Sequence, residues 1–148
     1  MHVTDSEPQL VKVEFRTEDE VETLWAEALG DHRYRVDNSP FYAYGVSWRD
    51  VVLAEPQPGA FPLFASVIEK SGHRTVRVIV ADSDALDRLK SGILALGCTF
   101  EGAWNKLICI DVPPEIELES VRQYLIASGF EWEHADPTYE QLYGEHGA

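Results

Sequence analysis

Long apolar runs are missing from this 148-residue sequence. No stretch reaches the roughly 20 apolar residues that a membrane-spanning helix needs. The opening MHVTDSEPQL has no basic segment followed by an apolar one, as a secretion signal would. Both absences point to the cytoplasm. Cysteine is scarce, with only Cys98 and Cys109. Their spacing fits neither a zinc pattern nor a C-x-x-C redox pair. Both sit among apolar neighbours in strand-like segments, where a thiol behaves as a small hydrophobe. No His-Glu-x-x-His pair offers two metal ligands on one helical face. Gly97 and Gly102 lack the spacing of a phosphate-cradling loop, and Ser47 and Ser71 lack the context of a nucleophile elbow. No metal and no cofactor is expected.

Positive charge is the other shortage. Twelve basic residues face 26 acidic ones, for a net charge of −14. The deficit is even, because residues 1–72 and 73–148 each carry 13 acidic and 6 basic groups. Attraction to phosphate backbones or anionic lipids requires the opposite sign. Nucleic acid and membrane surfaces are therefore excluded as partners, whereas a basic protein is favoured.

What is present divides near Ser71-Gly72. In the second half, Arg74 to Ala81 alternates, with Val76, Val78 and Val80 on one face. Asp82-Ser83-Asp84 supplies an N-cap for a helix whose stripe is Leu86, Leu89, Ile93 and Leu96, with Gly97 as its left-handed stop. Cys98 to Trp104 and Lys106 to Val112 read as a hairpin turning at 103–106, with Ile108, Ile110 and Val112 sharing a face. Pro113-Pro114, with Glu115, Glu117 and Glu119, opens a second helix whose stripe is Leu118, Val121 and Leu125 and whose stop is Gly129. Phe130 to His134 is a last strand. Helix, glycine and aromatic strand thus occur twice, in LALGCTFE and IASGFEWE. This echo predicts a ferredoxin-like βαββαβ plait with both helices on one face. The opposite face carries Arg77, Ile79, Leu107, Cys109 and Asp111, with Arg77 and Asp111 able to pair across strands. It is too apolar to stay wet, so the first half or a second subunit should cover it, and a homodimer through this face is one outcome. It lacks the aromatic rings on which RNA-recognition sheets stack bases.

The first half reads as short strands: Val11 to Phe15, Glu22 to Leu29, His32 to Asp37, Asp50 to Glu55 and Pro62 to Lys70, with a hairpin turn at Gly30-Asp31. Five strands without a helix predict a small antiparallel sheet or partial barrel. The fold class is α+β: an all-β half at 1–72, the plait at 73–136, and a tail at 137–148 with a helical turn at Tyr139-Leu142-Tyr143. Between the strands lies DNSPFYAYGVSW, which packs Phe41, Tyr42, Tyr44 and Trp48 into eight residues after an Asp37-Asn38-Ser39-Pro40 turn signal. Either its rings plug the barrel end or the junction, or they form a recognition surface.

Asn38-Ser39-Pro40-Phe41, Gly45-Val46-Ser47, Asp50-Val51-Val52 and Ser71-Gly72-His73 together resemble the motifs of an uncharacterised bacterial domain-of-unknown-function family. The likeness spans most of residues 10–135. It implies no activity, substrate or cofactor. One position departs: the resemblance implies Gly before Asp50, and this chain has Arg49.

For catalysis, His73 in its glycine-led turn is the best candidate base, followed by His32 and His134, with Asp37, Asp82 and Asp111 as carboxylate partners. A lone His in a turn is also an ordinary structural hydrogen-bonding residue. Small size, even acidity and the aromatic segment favour a non-catalytic acidic protein-binding domain, of the immunity, antitoxin-like or regulatory-partner kind. Its binding residues would be Asn38, Phe41, Tyr42, Tyr44, Trp48 and His73. The alternative is a small-molecule-binding or enzymatic domain with its pocket at the junction of the two halves.

Overall fold

The computed structural model describes residues 9–102 and 106–144. The chain builds two β units, one after the other. Leu10–Arg16 (β1), Val21–Gly30 (β2), Arg33–Val36 (β3), Val51–Gln57 (β4) and Ala60–Glu69 (β5) form a closed barrel. Consecutive strands pair antiparallel; the short β1–β2, β2–β3 and β4–β5 links leave no room for a parallel crossover. β1 then lies parallel to β5, with Glu14 opposite Leu63. That pairing completes a barrel where the sequence suggested an open sheet or a partial one. The alternation in β1 and β2 sends Val13, Phe15, Leu24 and Ala26 inward. They meet Val36, Val52 and Ala54, and the Phe15 ring stacks on Phe64 at 4.7 Å.

The second unit is a four-stranded sheet of Arg74–Ile79 (β6), Thr99–Gly102 (β7), Leu107–Val112 (β8) and Glu131–Asp136 (β9), in the order β7-β8-β6-β9. Every neighbouring pair is antiparallel. Helices Ser83–Leu96 (α1) and Leu118–Ser128 (α2) cover one face. Leu89, Ile93, Val121 and Leu125 pack there on Val76, Val78, Ile108 and Ile110. Each wholly buried side chain of this size contributes on the order of 1.5–3 kcal/mol before entropy is counted. Asp82 accepts from the Ala85 N–H as the N-cap of α1. Gly97 and Gly129 stop the two helices at φ 94° and 75°, a region that a Cβ disfavours. The most of the expected turn at 103–106 falls outside the described residues.

Two expectations about this unit need correction. The second helix begins at Leu118 rather than at Pro113-Pro114. Residues 113–117 form a turn in which the Ile116 N–H donates to the Pro113 carbonyl. Arg74 also donates to the carbonyls of Pro113 and Ile116, holding them away from helical bonding. Arg77 and Asp111 do not pair either. Register places Cys109 opposite Arg77 and Thr75 opposite Asp111.

After β9 comes a short helix, Tyr139–Tyr143 (α3), which packs beside that strand. Thr138 and Gln141 form a reciprocal capping box at its start.

Candidate functional site

Residues 37–50 run between the barrel and the uncovered face of the sheet, and four charged side chains fix them there. Glu22 on β2 accepts the backbone N–H groups of Phe41, Tyr42 and Ala43 at 2.8–3.0 Å. From the sheet side, Arg77, only 2% exposed, donates to the carbonyls of Pro40, Ala43 and Tyr42. Its Nε donates to Glu133 at 3.0 Å. Glu101 accepts from the Ser39 N–H, and Asp50 accepts from the N–H groups of Ser47 and Ser71. A buried charge is tolerated only with such partners.

This wedging separates the aromatic residues. Ala43 and Val46, rather than the rings, enter the barrel core. Phe41, Tyr42 and Trp48 are half-buried, and Tyr44 alone stays open to solvent, at 52% exposure. Asn38 is a tie, its Oδ1 accepting the Trp25 N–H at 2.7 Å. The position before Asp50 is resolved as well: Arg49 sits at φ 74°, in the left-handed region that favours glycine.

On one flank, Lys70 bridges Asp50 and Asp136 at 2.6 and 2.5 Å. Ser47 Oγ donates to Asp136 at 2.6 Å and lies 2.6 Å from Thr75 Oγ1. Ser47 is wholly buried, so this cluster is a joint between the two units.

Beside the joint lies a small cavity of about 240 Å³ lined by Asp37, Ser39, Trp48, Glu101 and Asp111, among others. His73 stands by it, with Nδ1 2.9 and 3.0 Å from the two Asp111 oxygens and Trp48 edge-on at 4.9 Å. Burial pushes the Asp111 carboxyl up despite the opposing pull of His73, and burial likewise raises Glu101. The pair has the form of an imidazole oriented by a carboxylate. The nearby thiols are unsuited to nucleophilic work, since burial lifts Cys98 to about 11 and raises Cys109 as well. Among the described residues no group of three or more His, Cys, Asp or Glu is arranged to hold a metal ion.

On the other flank a larger cleft of about 630 Å³ is lined by Tyr44, Arg122, Trp132, Glu133, His134, Thr138, Tyr139 and Glu140. The Tyr44 hydroxyl donates to Glu133 at 2.8 Å, and its ring lies over Arg77. Burial, and then Glu133, raise the Tyr44 phenol. His134 is 6% exposed, and neither ring nitrogen has a hydrogen-bonding partner among the described residues. Trp132 meets the His134 ring edge-on at 4.8 Å. Tyr139 and Tyr143 flank it at 6.3 and 5.9 Å.

The structure therefore divides the six residues singled out from sequence. Trp48 lines the small cavity with His73 packed against it and Asp111, Tyr44 joins the large cleft, and Asn38, Phe41 and Tyr42 hold the segment in place. Sequence reasoning missed Trp132, Arg122, Glu133 and Glu140 as cleft residues. The signals for the cleft's far wall are the helical turn expected at Tyr139-Leu142-Tyr143 and the Thr138-x-x-Gln141 pattern that caps it.

These features define an α+β domain with a barrel, a helix-backed sheet and a polar-anchored aromatic segment between them. The chain belongs to the domain-of-unknown-function family DUF4265, whose family model matches residues 22–134. A crystal structure of a hypothetical protein from Neisseria gonorrhoeae is similar in fold, with a TM-score of 0.67 and 18% identity over 90% of this chain and 97% of that one. Comparison with curated proteins finds no match. No helix among the described residues is long and apolar enough to cross a membrane.

Proposed function

We propose that this chain is a non-catalytic acidic binding domain for a basic protein, in the manner of an immunity, antitoxin-like or regulatory partner. The observation that supports it most is Tyr44, an exposed ring at the mouth of the large cleft that is braced from behind by Arg77 and Glu133. Pre-positioned Tyr and Trp side chains make interface anchors at low entropic cost. The net charge of −14 steers basic partners toward them. The same reading takes the second unit as a ferredoxin-like plait, supported by its strand order and by two helices on one face. Calorimetric titration with a Lys/Arg-rich peptide and its Glu-rich counterpart tests the function. Binding of the basic peptide alone, weakened by salt, is expected, whereas equal binding of both or of neither removes the reading.

A second reading is favoured by the His73–Asp111 pair beside its carboxylate-lined cavity: a small-molecule-binding or enzymatic pocket at the junction. A panel of small cationic metabolites screened by thermal shift distinguishes it. A rise in melting temperature that His73→Ala abolishes supports this pocket.

A further inference from the structure

Resting on the basic-partner reading, we infer that the large cleft is a receptor for an arginine side chain of that partner. Three aromatic rings stand around the space, and Tyr44 and Tyr139 remain exposed at its mouth, so a side chain carried on another polypeptide can enter. The charges inside do not balance. Arg77 is committed to Glu133, and Arg122 to Glu119 at 3.1 Å. Glu140 has no ion-pair partner among the described residues, which leaves the cleft net negative and suited to a cation.

Shape selects among cations. A guanidinium is planar, stacks on Trp and Tyr faces, and donates up to five N–H groups in its own plane. The lining brings together the Trp132 and Tyr139 rings and the carboxylates of Glu133 and Glu140 as acceptors. The buried, unpartnered His134 is the independent sign of a missing partner. Neutral imidazole presents one acceptor nitrogen and one N–H, and a donor-rich planar group satisfies the acceptor alone. A buried polar atom without a partner is uncommon enough to require an explanation. An anionic ring compound would meet Glu140 and the field of the whole protein, and a lysine ammonium would use the rings and carboxylates but not their planar arrangement.

The test uses the full chain and three peptides identical except at one central residue: Arg, Lys or citrulline, the last being a neutral isostere of arginine. Affinity is measured by calorimetry, and occupancy is followed through the NMR signal of the Trp132 indole N–H. The Arg peptide is expected to bind at least threefold more tightly than the Lys peptide and to shift the Trp132 signal. Tyr44→Ala and Glu140→Gln should each weaken it about two- to tenfold. Glu140 is exposed in the first turn of α3, so its variant keeps the fold even if removal of Tyr44 disturbs Arg77. If Arg and citrulline peptides bind alike, or both variants bind the Arg peptide as the parent does, the arginine receptor is overturned while the basic-partner reading stands. If no basic peptide binds at all, that broader reading fails, and the receptor with it.

Discussion

The guanidinium carbon of Arg77 lies 4.5 Å from the centre of the Tyr44 ring. One buried cation thereby serves two purposes. Its nitrogens hold the carbonyls of Pro40, Tyr42 and Ala43, and its face supports the exposed ring that those residues deliver. Fold and candidate site meet in that contact, because the side chain that seats the segment on the sheet also fixes the anchor at the cleft.

Arg77→Met tests the clamp. The substitution strands three carbonyls and leaves Glu133 without its cation. Glu133 is 47% exposed and loses little with its cation, so the expected cost of about 2–4 kcal/mol comes mainly from the stranded carbonyls. Arg77→Lys should recover little of that, since one ammonium cannot span three carbonyls and a carboxylate. Urea unfolding measures both. A methionine variant as stable as the parent would show that the hydrogen bonds are incidental to folding.

The Lys70 bridge predicts a comparable loss. Asp50 and Asp136 have side chains only 0% and 6% exposed, whereas that of Lys70 is 46% exposed. Lys70→Met leaves two carboxylates together without their cation. Water reaches the ammonium, so the expected destabilisation is about 2–4 kcal/mol rather than the full buried-pair value. Adding Asp136→Asn to Lys70→Met should return part of it, and a double-mutant cycle over the two sites should show coupling. Strict additivity would mean that the two side chains act independently.

Arg49 carries a backbone prediction. Its φ of 74° is strained for a residue with a Cβ, and its compensations are a stack on Trp48 and a 3.9 Å approach to Asp37. Arg49→Ala loses those contacts and keeps the strain, whereas Arg49→Gly loses the contacts and relieves it. The glycine variant should therefore exceed the alanine variant by about 1 kcal/mol in thermal or urea unfolding. Equal stability of the two would place the left-handed turn at no cost.

Much of the second unit was legible because its signals are local. Val76 and Val78 alternate, Leu89 and Ile93 recur at helical spacing, and Gly97 and Gly129 mark the stops that the chain uses. The start of α2 was misread because Pro113-Pro114 and the following acids suit a helix opening equally well. Only Arg74, distant in sequence, decides for a turn. The Arg77–Asp111 pairing failed by register, which face-sharing alone does not specify. The cleft was the least legible feature. Its walls come from residues 44, 122, 132–134 and 138–140, and of these only Tyr44 and His134 stood out in the sequence as candidate site residues.

His134 yields a pH prediction. Burial, assisted by Arg122 and opposed by Glu119, lowers its imidazole below the ordinary 6.5. The folded protein keeps this ring neutral in a range where the unfolded chain already binds a proton. Stability linked to His134 is thus fully present above pH 6.5 and declines as pH falls from 6.5 toward the lowered value. Glu101 and Asp111, whose carboxyls are raised, act in the opposite sense from their ordinary 4.5 and 3.8 upward. They are common to parent and variant, so the difference between the two isolates the histidine. His134→Phe preserves a flat ring among Trp132, Tyr139 and Tyr143 and removes two unpartnered nitrogens. At pH 7 the variant should equal the parent or exceed it by about 1 kcal/mol. Between pH 6.5 and 5 its advantage should widen, as read from urea unfolding at a series of pH values. An advantage that stays constant across that range would show that His134 titrates alike in the folded and unfolded chain.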